Sequence, residues 1–319
     1  MKKFLVTMFC LTLAFVMPVT SLAAFSDMPS GADGVVLQKA VDNGLIAGFD
    51  DGTIQPQTPI TRAQMATIMS RAMNVETKAD ITSFADVKEG DWYYDAMAKA
   101  VYMDAFKGDT KSCLNPNNTI TRQEAFIVLC RIFDIQDTDK NALSKYSDES
   151  AVASWARVEA RSIAAGGYLG DITALRPLDP MTRLEFAQIM DKIVNHYIDE
   201  DGEYSTLPEG NVLVRAKNVS FKNLNSTKNI YIGDGVENLV NFTDCVCERI
   251  VVRGKKIALN SGTYTWVRGI GQGTQIYLMK KPLELVKKFE DGTTGKFYAA
   301  SGKAVLIPLV TVTELQKKN

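Results

Sequence analysis

The chain has 319 residues, a formal net charge of −1, 46% apolar and 23% charged side chains, a balance that excludes a disordered polymer and leaves room for two globular domains. The near-neutral total gives no reason to expect nucleic acid as a partner. It hides an asymmetry, with 17 Lys and Arg against 28 Asp and Glu from Ala24 to Glu203 and 17 against 9 from Tyr204 onward. An acidic half followed by a basic half reads as two domains, the basic one carrying either an uninformative surface bias or a face for an anionic polymer or an acidic neighbour.

Lys2 and Lys3 precede an apolar run from Phe4 to Val19, and Ser21-Leu22-Ala23 supplies small residues for cleavage after Ala23. This pattern predicts a signal peptide over 1–23 and an exported mature chain, with no later stretch long and apolar enough to span a membrane. Four cysteines follow, Cys113, Cys130, Cys245 and Cys247. The last two share one face of a strand but are poorly spaced for a mutual bridge. With His196 as the single histidine, no metal site and no cofactor are expected.

From Ala24 onward one pattern occurs three times. Phe25-Ser26-Asp27, Phe84-Ala85-Asp86 and Tyr146-Ser147-Asp148 open the copies, and Thr61, Thr121 and Thr182 follow the aromatics by 36, 37 and 36 residues. Between them the spacing predicts a short helix (Val36 to Val41, Trp92 to Met103, Trp155 to Ala165), then a loop bearing Gly48, Gly108 or Gly170 and a Pro. Asp50-Asp51-Gly52 in the first loop reads as a turn rather than a calcium loop. Each Thr, followed three residues later by Gln64, Glu124 or Glu185, forms a capping box that starts a longer helix, with Ile60 and Met65, Ile120 and Ala125, and Met181 and Phe186 as hydrophobic staples. Apolar residues recur at offsets 4, 7, 8, 11 and 12 from each Thr, so three helices share one stripe and most simply pack as a central bundle.

One position resists a purely structural account. Arg62, Arg122 and Arg183 stand at the first helical position, where a cation opposes the helix dipole by a few tenths of a kcal/mol. A guanidinium at a helix N-terminus is suited to grip a carboxylate or phosphate; alternatively each Arg packs its stem on the preceding loop or pairs with a nearby Asp.

The opening Phe-x-Asp, the Trp near the first helix, the Gly-Phe-Asp-Asp-Gly-Thr loop at Gly48 to Thr53 and the Ile-Thr-Arg-Ala-Gln box at Ile60 to Gln64 resemble the S-layer homology repeats of bacterial surface proteins. The resemblance covers roughly Phe25 to Ile198, as repeats 24–75, 84–135 and 146–198. It implies a pseudo-threefold, three-pronged helical bundle that holds the protein non-covalently to secondary cell-wall polysaccharide, often through a pyruvylated sugar. Carried over by position, Arg62, Arg122 and Arg183 meet the carboxylate, Trp92 and Trp155 stack on sugar, and Gly48, Gly108 and Gly170 allow close backbone approach. The first copy has no Trp, offering only Asp33-Gly34-Val35, so Arg62 is expected to matter less than the other two. Either Trp alternatively belongs to the core.

Residues 199–211, rich in Asp, Glu, Gly and Pro, read as a linker. Beyond it the chain turns β-rich: Val212-Leu213-Val214, Ile230-Tyr231-Ile232, Ile250-Val251-Val252 and Ile276-Tyr277-Leu278, with second runs at Val219 to Phe221, Val240 to Phe242 and Ile257 to Leu259. Recurrence at about 20 residues predicts a short β-solenoid over 212–319, with a small sandwich as the alternative. Asn241 and nearby Asn residues are candidates for ladders at the bends. The tail, turning at Asp291-Gly292 and strand-forming from Ala304 to Val312, is expected to add a hairpin or cap.

The fold class is thus α plus β in separate domains. No nucleophile with a histidine partner, phosphate loop or zinc-binding histidine pair is present, and nothing singles out a glycosidase-type carboxylate pair among the many Asp and Glu, so the expected function is the wall anchoring that the resemblance implies. A polysaccharide-processing enzyme with this anchor and a surface-layer subunit that contacts other surface-layer proteins are the alternatives.

Overall fold

A computed structural model describes residues 25–136 and 139–278 and the strands Glu284–Leu285, Thr294–Ala299 and Ala304–Pro308. The expected leader at 1–23 lies outside the described residues. Each unit supplies a short helix and a long one: α1 (Gly31–Asp42) and α2 (Arg62–Ala72), α3 (Tyr94–Tyr102) and α4 (Arg122–Phe133), α5 (Arg157–Ala165) and α6 (Arg183–Ile193). The long helices start where the capping boxes place them. The Gln64 amide N–H donates to the Thr61 hydroxyl at 3.2 Å and the Thr61 N–H donates back to the Gln64 side chain at 2.9 Å. Thr182 and Glu185 repeat both bonds at 3.2 and 3.1 Å. At the second unit the Thr121 N–H donates to Glu124 at 2.8 Å.

The three stripes, Met65 to Met73, Ala125 to Phe133 and Phe186 to Val194, are buried in one core. The short helix of each unit packs on the long helix of the unit before it, α3 on α2 and α5 on α4, and α1 closes the ring on α6. The backbone closes the same ring at the axis: Ile120 N–H donates to the Ile60 carbonyl at 3.0 Å, Met181 N–H to that of Ile120 at 2.9 Å, and Ile60 N–H to that of Met181 at 2.9 Å. No unit can complete its own core, which is why the repeat comes as a closed set of three.

The chain leaves α6 directly into a parallel solenoid. Its strands are β1 (His196–Ile198), β2 (Gly202–Tyr204), β3 (Val212–Val214), β4 (Val219–Lys222), β5 (Asn225–Ile232), β6 (Leu239–Val252), β7 (Lys256–Gly269), β8 (Gln275–Leu278), β9 (Glu284–Leu285), β10 (Thr294–Ala299) and β11 (Ala304–Pro308). One face stacks Ile198, Val214, Ile232, Val252 and Gly269 in register. A second stacks Tyr204, Phe221, Phe242 and Leu259, and a third Cys247 on Tyr264. Alternate residues turn inward, as strand geometry requires, and the Phe221 and Phe242 rings stack at 4.7 Å. Cys245 and Cys247 are both buried there as free thiols, facing the same way as their spacing implied.

Two details differ from the sequence reading, the linker and the side chains of the ladders. β1 and β2 lie before and inside the expected linker 199–211 and pair with β3 and β4, so the solenoid begins at His196. The polar run Asp199 to Glu203 looked like a linker because all five of its residues are exposed, strand or not. The ladders at the bends use other side chains than Asn241: Asn238 donates to Asn218 at 2.8 Å, Asn218 donates to Asp201, and Asn229 N–H donates to Asn211. The tail agrees with the reading in forming an antiparallel pair, β10 with β11, while the turn expected at Asp291-Gly292 lies outside the described residues.

The two parts differ in architecture and meet through a shared apolar seam, with Leu213, Tyr231 and Val251 joining the helical core and the Tyr231 ring 5.2 Å from that of Phe133. Around the seam the solenoid presents arginines to helix C-termini. Arg215 donates to the Asn43 carbonyl at 2.9 Å, Arg253 to that of Met103 at 2.8 Å and Arg249 to that of Asp134 at 2.6 Å. Cations suit the negative end of a helix dipole. Part of the basic excess of the second half is therefore spent inside the chain, on the acidic half beside it. No helix among the described residues is long and apolar enough to cross a membrane.

Candidate functional site

Each unit opens with an aromatic-x-Asp whose carboxylate fixes that unit's loop. Asp27 accepts the Ile54 and Gln55 N–H groups at 2.7 and 2.8 Å, Asp86 those of Leu114 and Asn115 at 2.8 and 2.6 Å, and Asp148 those of Leu175 and Arg176 at 2.7 Å each. The loop so held turns its carbonyls toward the long helix of the preceding unit. Arg62 N–H donates to Asn118 and Ala63 N–H to Pro116, Arg122 N–H to Asp179 and Gln123 N–H to Pro177, Arg183 N–H to Thr58 and Leu184 N–H to Pro56.

These bonds change the meaning of the three arginines. The first-turn N–H groups, expected to be open to an anion, are occupied by backbone carbonyls of the next unit, so the positive helix end that a cation would oppose is already satisfied. The side chains follow the same route: Nε of Arg62 donates to the Leu114 carbonyl at 2.8 Å, that of Arg122 to Leu175 at 2.6 Å and that of Arg183 to Ile54 at 2.7 Å. Arg62 also meets Glu124 at 3.3 Å and Arg122 meets Glu185 at 3.0 Å. Burial lowers all three guanidinium pKa values, that of Arg122 to about 10 with Arg176 acting in the same direction; the group remains a cation at neutral pH. The partner proposed from sequence as an Asp is a loop carbonyl in all three copies, joined by the capping Glu for Arg62 and Arg122.

What remains open to solvent is unequal. The Arg62 side chain is 14% exposed and that of Arg122 4%. Arg62 lies on a groove of about 860 Å³ with Phe106, Gly108, Asp109, Glu124 and Trp155, so the first unit's Arg, the second unit's loop and the third unit's Trp come to one surface. Trp155 is 58% exposed and Trp92 66%, which removes the core alternative for both. Arg122 lines a second groove of about 470 Å³ with Gly170, Arg176, Glu185 and Lys192, and there Ala32 and Asp33 stand where the first groove has Trp155. Trp155, Trp92 and Ala32 each lie eleven residues before the C-cap of their short helix. By the same rotation Trp92 belongs with Arg183 and the Gly48 loop.

The geometric ground for expecting Arg62 to be the weak member is therefore removed. The missing Trp of the first copy faces Arg122, because a groove draws on three units rather than one. The glycines also have an internal reason. A Cβ on Gly48 would stand 1.9 Å from the Phe25 ring and one on Gly108 2.3 Å from that of Phe84, while Gly170 has a positive φ of 69°. Clearance at the first two serves the opening aromatics.

Sequence reasoning missed Glu124 and Glu185 as ion-pair partners, since both were assigned wholly to capping, and Arg131 on the wall of the first groove, although a cation ten residues after each capping Thr was visible as Arg71, Arg131 and Lys192.

The S-layer homology domain profile matches residues 24–66 and 83–126; the third unit, with the same helix pair and capping box, lies outside the matched residues. The chain is similar to the Surface-layer 125 kDa protein of Lysinibacillus sphaericus, 33% identical over 57% of this chain and 16% of the relative. It is also similar to an Amylopullulanase of Thermoanaerobacterium thermosulfurigenes, 28% identical over 52% of this chain and 9% of the relative. The Middle cell wall protein of Brevibacillus brevis is 22% identical over 78% of this chain and 24% of the relative. The chain spans a quarter or less of the length of these proteins. Two matched repeats inside a closed threefold bundle show that this chain carries S-layer homology domains, and its surface-layer relatives indicate the bacterial cell surface as its location.

Proposed function

We propose that the helical bundle anchors the chain to the cell wall by binding an anionic secondary polysaccharide, with a carboxylate such as that of a pyruvylated sugar held at Arg62 and a sugar ring laid on Trp155. The observation that carries this reading is the first groove, where a mostly shielded guanidinium, its side chain 14% exposed, and an exposed indole line the same open volume. A guanidinium grips a carboxylate with two parallel bonds, and an indole face covers the apolar side of a sugar. The groove volume falls in the range of small-ligand sites.

The chain acts as a binder and not as an enzyme in this reading. The amylopullulanase similarity covers only about half of this chain, the share expected of a common anchor. A role as a surface-layer component is the second reading, favoured by the Middle cell wall protein alignment, whose length of 277 residues exceeds that of the helical part.

The test is a pull-down on purified wall sacculi, native and stripped of secondary polymer. Native sacculi should retain the protein and stripped sacculi should not. Arg62→Ala should weaken retention by about 1.5–3 kcal/mol, the range for a hydrogen bond to a charged group. Equal retention on both sacculi would refute polysaccharide binding.

A further inference from the structure

The first groove has a cation at each end. Arg62 reaches it beside Glu124, the third residue of α4, and Arg131, the tenth, closes the other end. Glu124, Ile127, Val128 and Arg131 are spaced three, four and seven residues apart and so form one stripe on the helix, and all four line the groove. Seven residues of α-helix separate the two ends by about 10 Å. The second groove repeats the plan on α6 with Glu185, Gln188, Ile189 and Lys192. A cation in the last turn suits the helix dipole wherever in that turn it stands. The dipole does not explain why all three long helices place it at the same offset, which on α4 and α6 falls on the groove stripe.

Arg131 is also the less committed of the two. Its guanidinium reaches the Ala105 carbonyl at 3.4 Å, and among the described residues no carboxylate lies within ion-pair distance of it, whereas Arg62 has Glu124. Lys107, paired with Asp104 at 3.3 Å, adds a third cation on the same rim, which also carries the carboxylates of Asp109 and Glu124.

We propose that the first groove reads two negative charges on one polysaccharide strand, about 10 Å apart, one at Arg62 and one at Arg131. The inference rests on the polysaccharide reading above and specifies its ligand: a polymer whose acidic groups, carboxylate or phosphate, recur along the chain rather than capping it once. Two linked charges bind as one bidentate ligand, since the second contact is made at the high effective concentration set by the first.

The experiment uses the full chain and fragments of purified wall polysaccharide from partial hydrolysis, sorted into those with one acidic group and those with two or more, with binding measured by calorimetry. Arg131→Gln should weaken the multiply charged fragments about tenfold or more and leave singly charged ones unchanged, Arg131→Lys should recover part of the loss, and Arg62→Ala should weaken both classes. A thermal melt of Arg131→Gln checks that the fold is kept. Dependence on Arg131 that disappears after mild acid treatment of the fragments identifies ketal-linked carboxylates, and after hydrofluoric acid, phosphates. Dependence that survives both treatments, or an equal effect of Arg131→Gln on both fragment classes, overturns the proposal while leaving the anchoring reading intact. If wild type binds neither class, the anchoring reading fails first and this one with it.

Discussion

The two grooves on α4 and α6 follow one backbone plan and end with different surfaces. Both have an arginine from the preceding unit, a glycine-bearing loop, a capping glutamate and a cation at the far end. The first adds Trp155 and leaves part of the Arg62 side chain open. The second has Ala32 and Asp33 in that place, with Gln188 donating to Asp33 at 2.8 Å, and Glu185 pairs with both Arg122 and Arg176. The difference teaches that the arginine has two separable uses. Its Nε holds the next unit's loop in all three copies, and only where the outer edge of the guanidinium stays open does a charge remain for a ligand.

That separation gives the largest prediction. Arg122→Ala should destabilise the fold by about 3 kcal/mol, because it leaves the Leu175 carbonyl without a donor and Glu185 with a lost buried partner. The reading by the dipole alone has the opposite sign, so a denaturant melt in which Arg122→Ala is neutral would break the comparison. Next comes Trp155→Ala. A sugar covering one face of the indole removes on the order of 100 Å² from water, worth about 2 kcal/mol of binding, while the melt should hardly move because the side chain is already exposed. Loss of stability as large as the loss of binding would mean that Trp155 supports the fold instead.

The comparison is sharpened by Ala32→Trp, which gives the second groove the ring it lacks. Retention on native sacculi should rise by about 1 kcal/mol, half of the Trp155 value, since Asp33 and the paired Glu185 still disfavour an anion nearby; unchanged retention would show that the second groove is shut by its charges alone. The smallest effect is structural. Thr182→Ala should cost about 1 kcal/mol through the lost cap, with no change in affinity once the folded fraction is taken into account, as measured by melts and calorimetry on the same sample.

Much of this was legible in residues. The Thr and Gln or Glu pairs dictated where three helices start, because a capping box satisfies its own orphan N–H groups and needs nothing from elsewhere. The apolar offsets dictated which face each helix buries, and the recurrence of the Val212 to Val214 run at about 20 residues pointed to stacked rungs. The sequence could not say which unit each contact reaches. Thr61, Arg62 and the loop of Gly48 are neighbours along the chain, yet Arg62 binds the loop ending at Leu114 and faces Trp155, and the Gly48 loop receives Arg183 from 129 residues away. Local signals act over a helical turn, whereas the pairing of units is set by closing three incomplete cores into one ring, which shifts every groove by one unit. That rotation decided which arginine meets a tryptophan. It follows from packing that no stretch of a few residues contains.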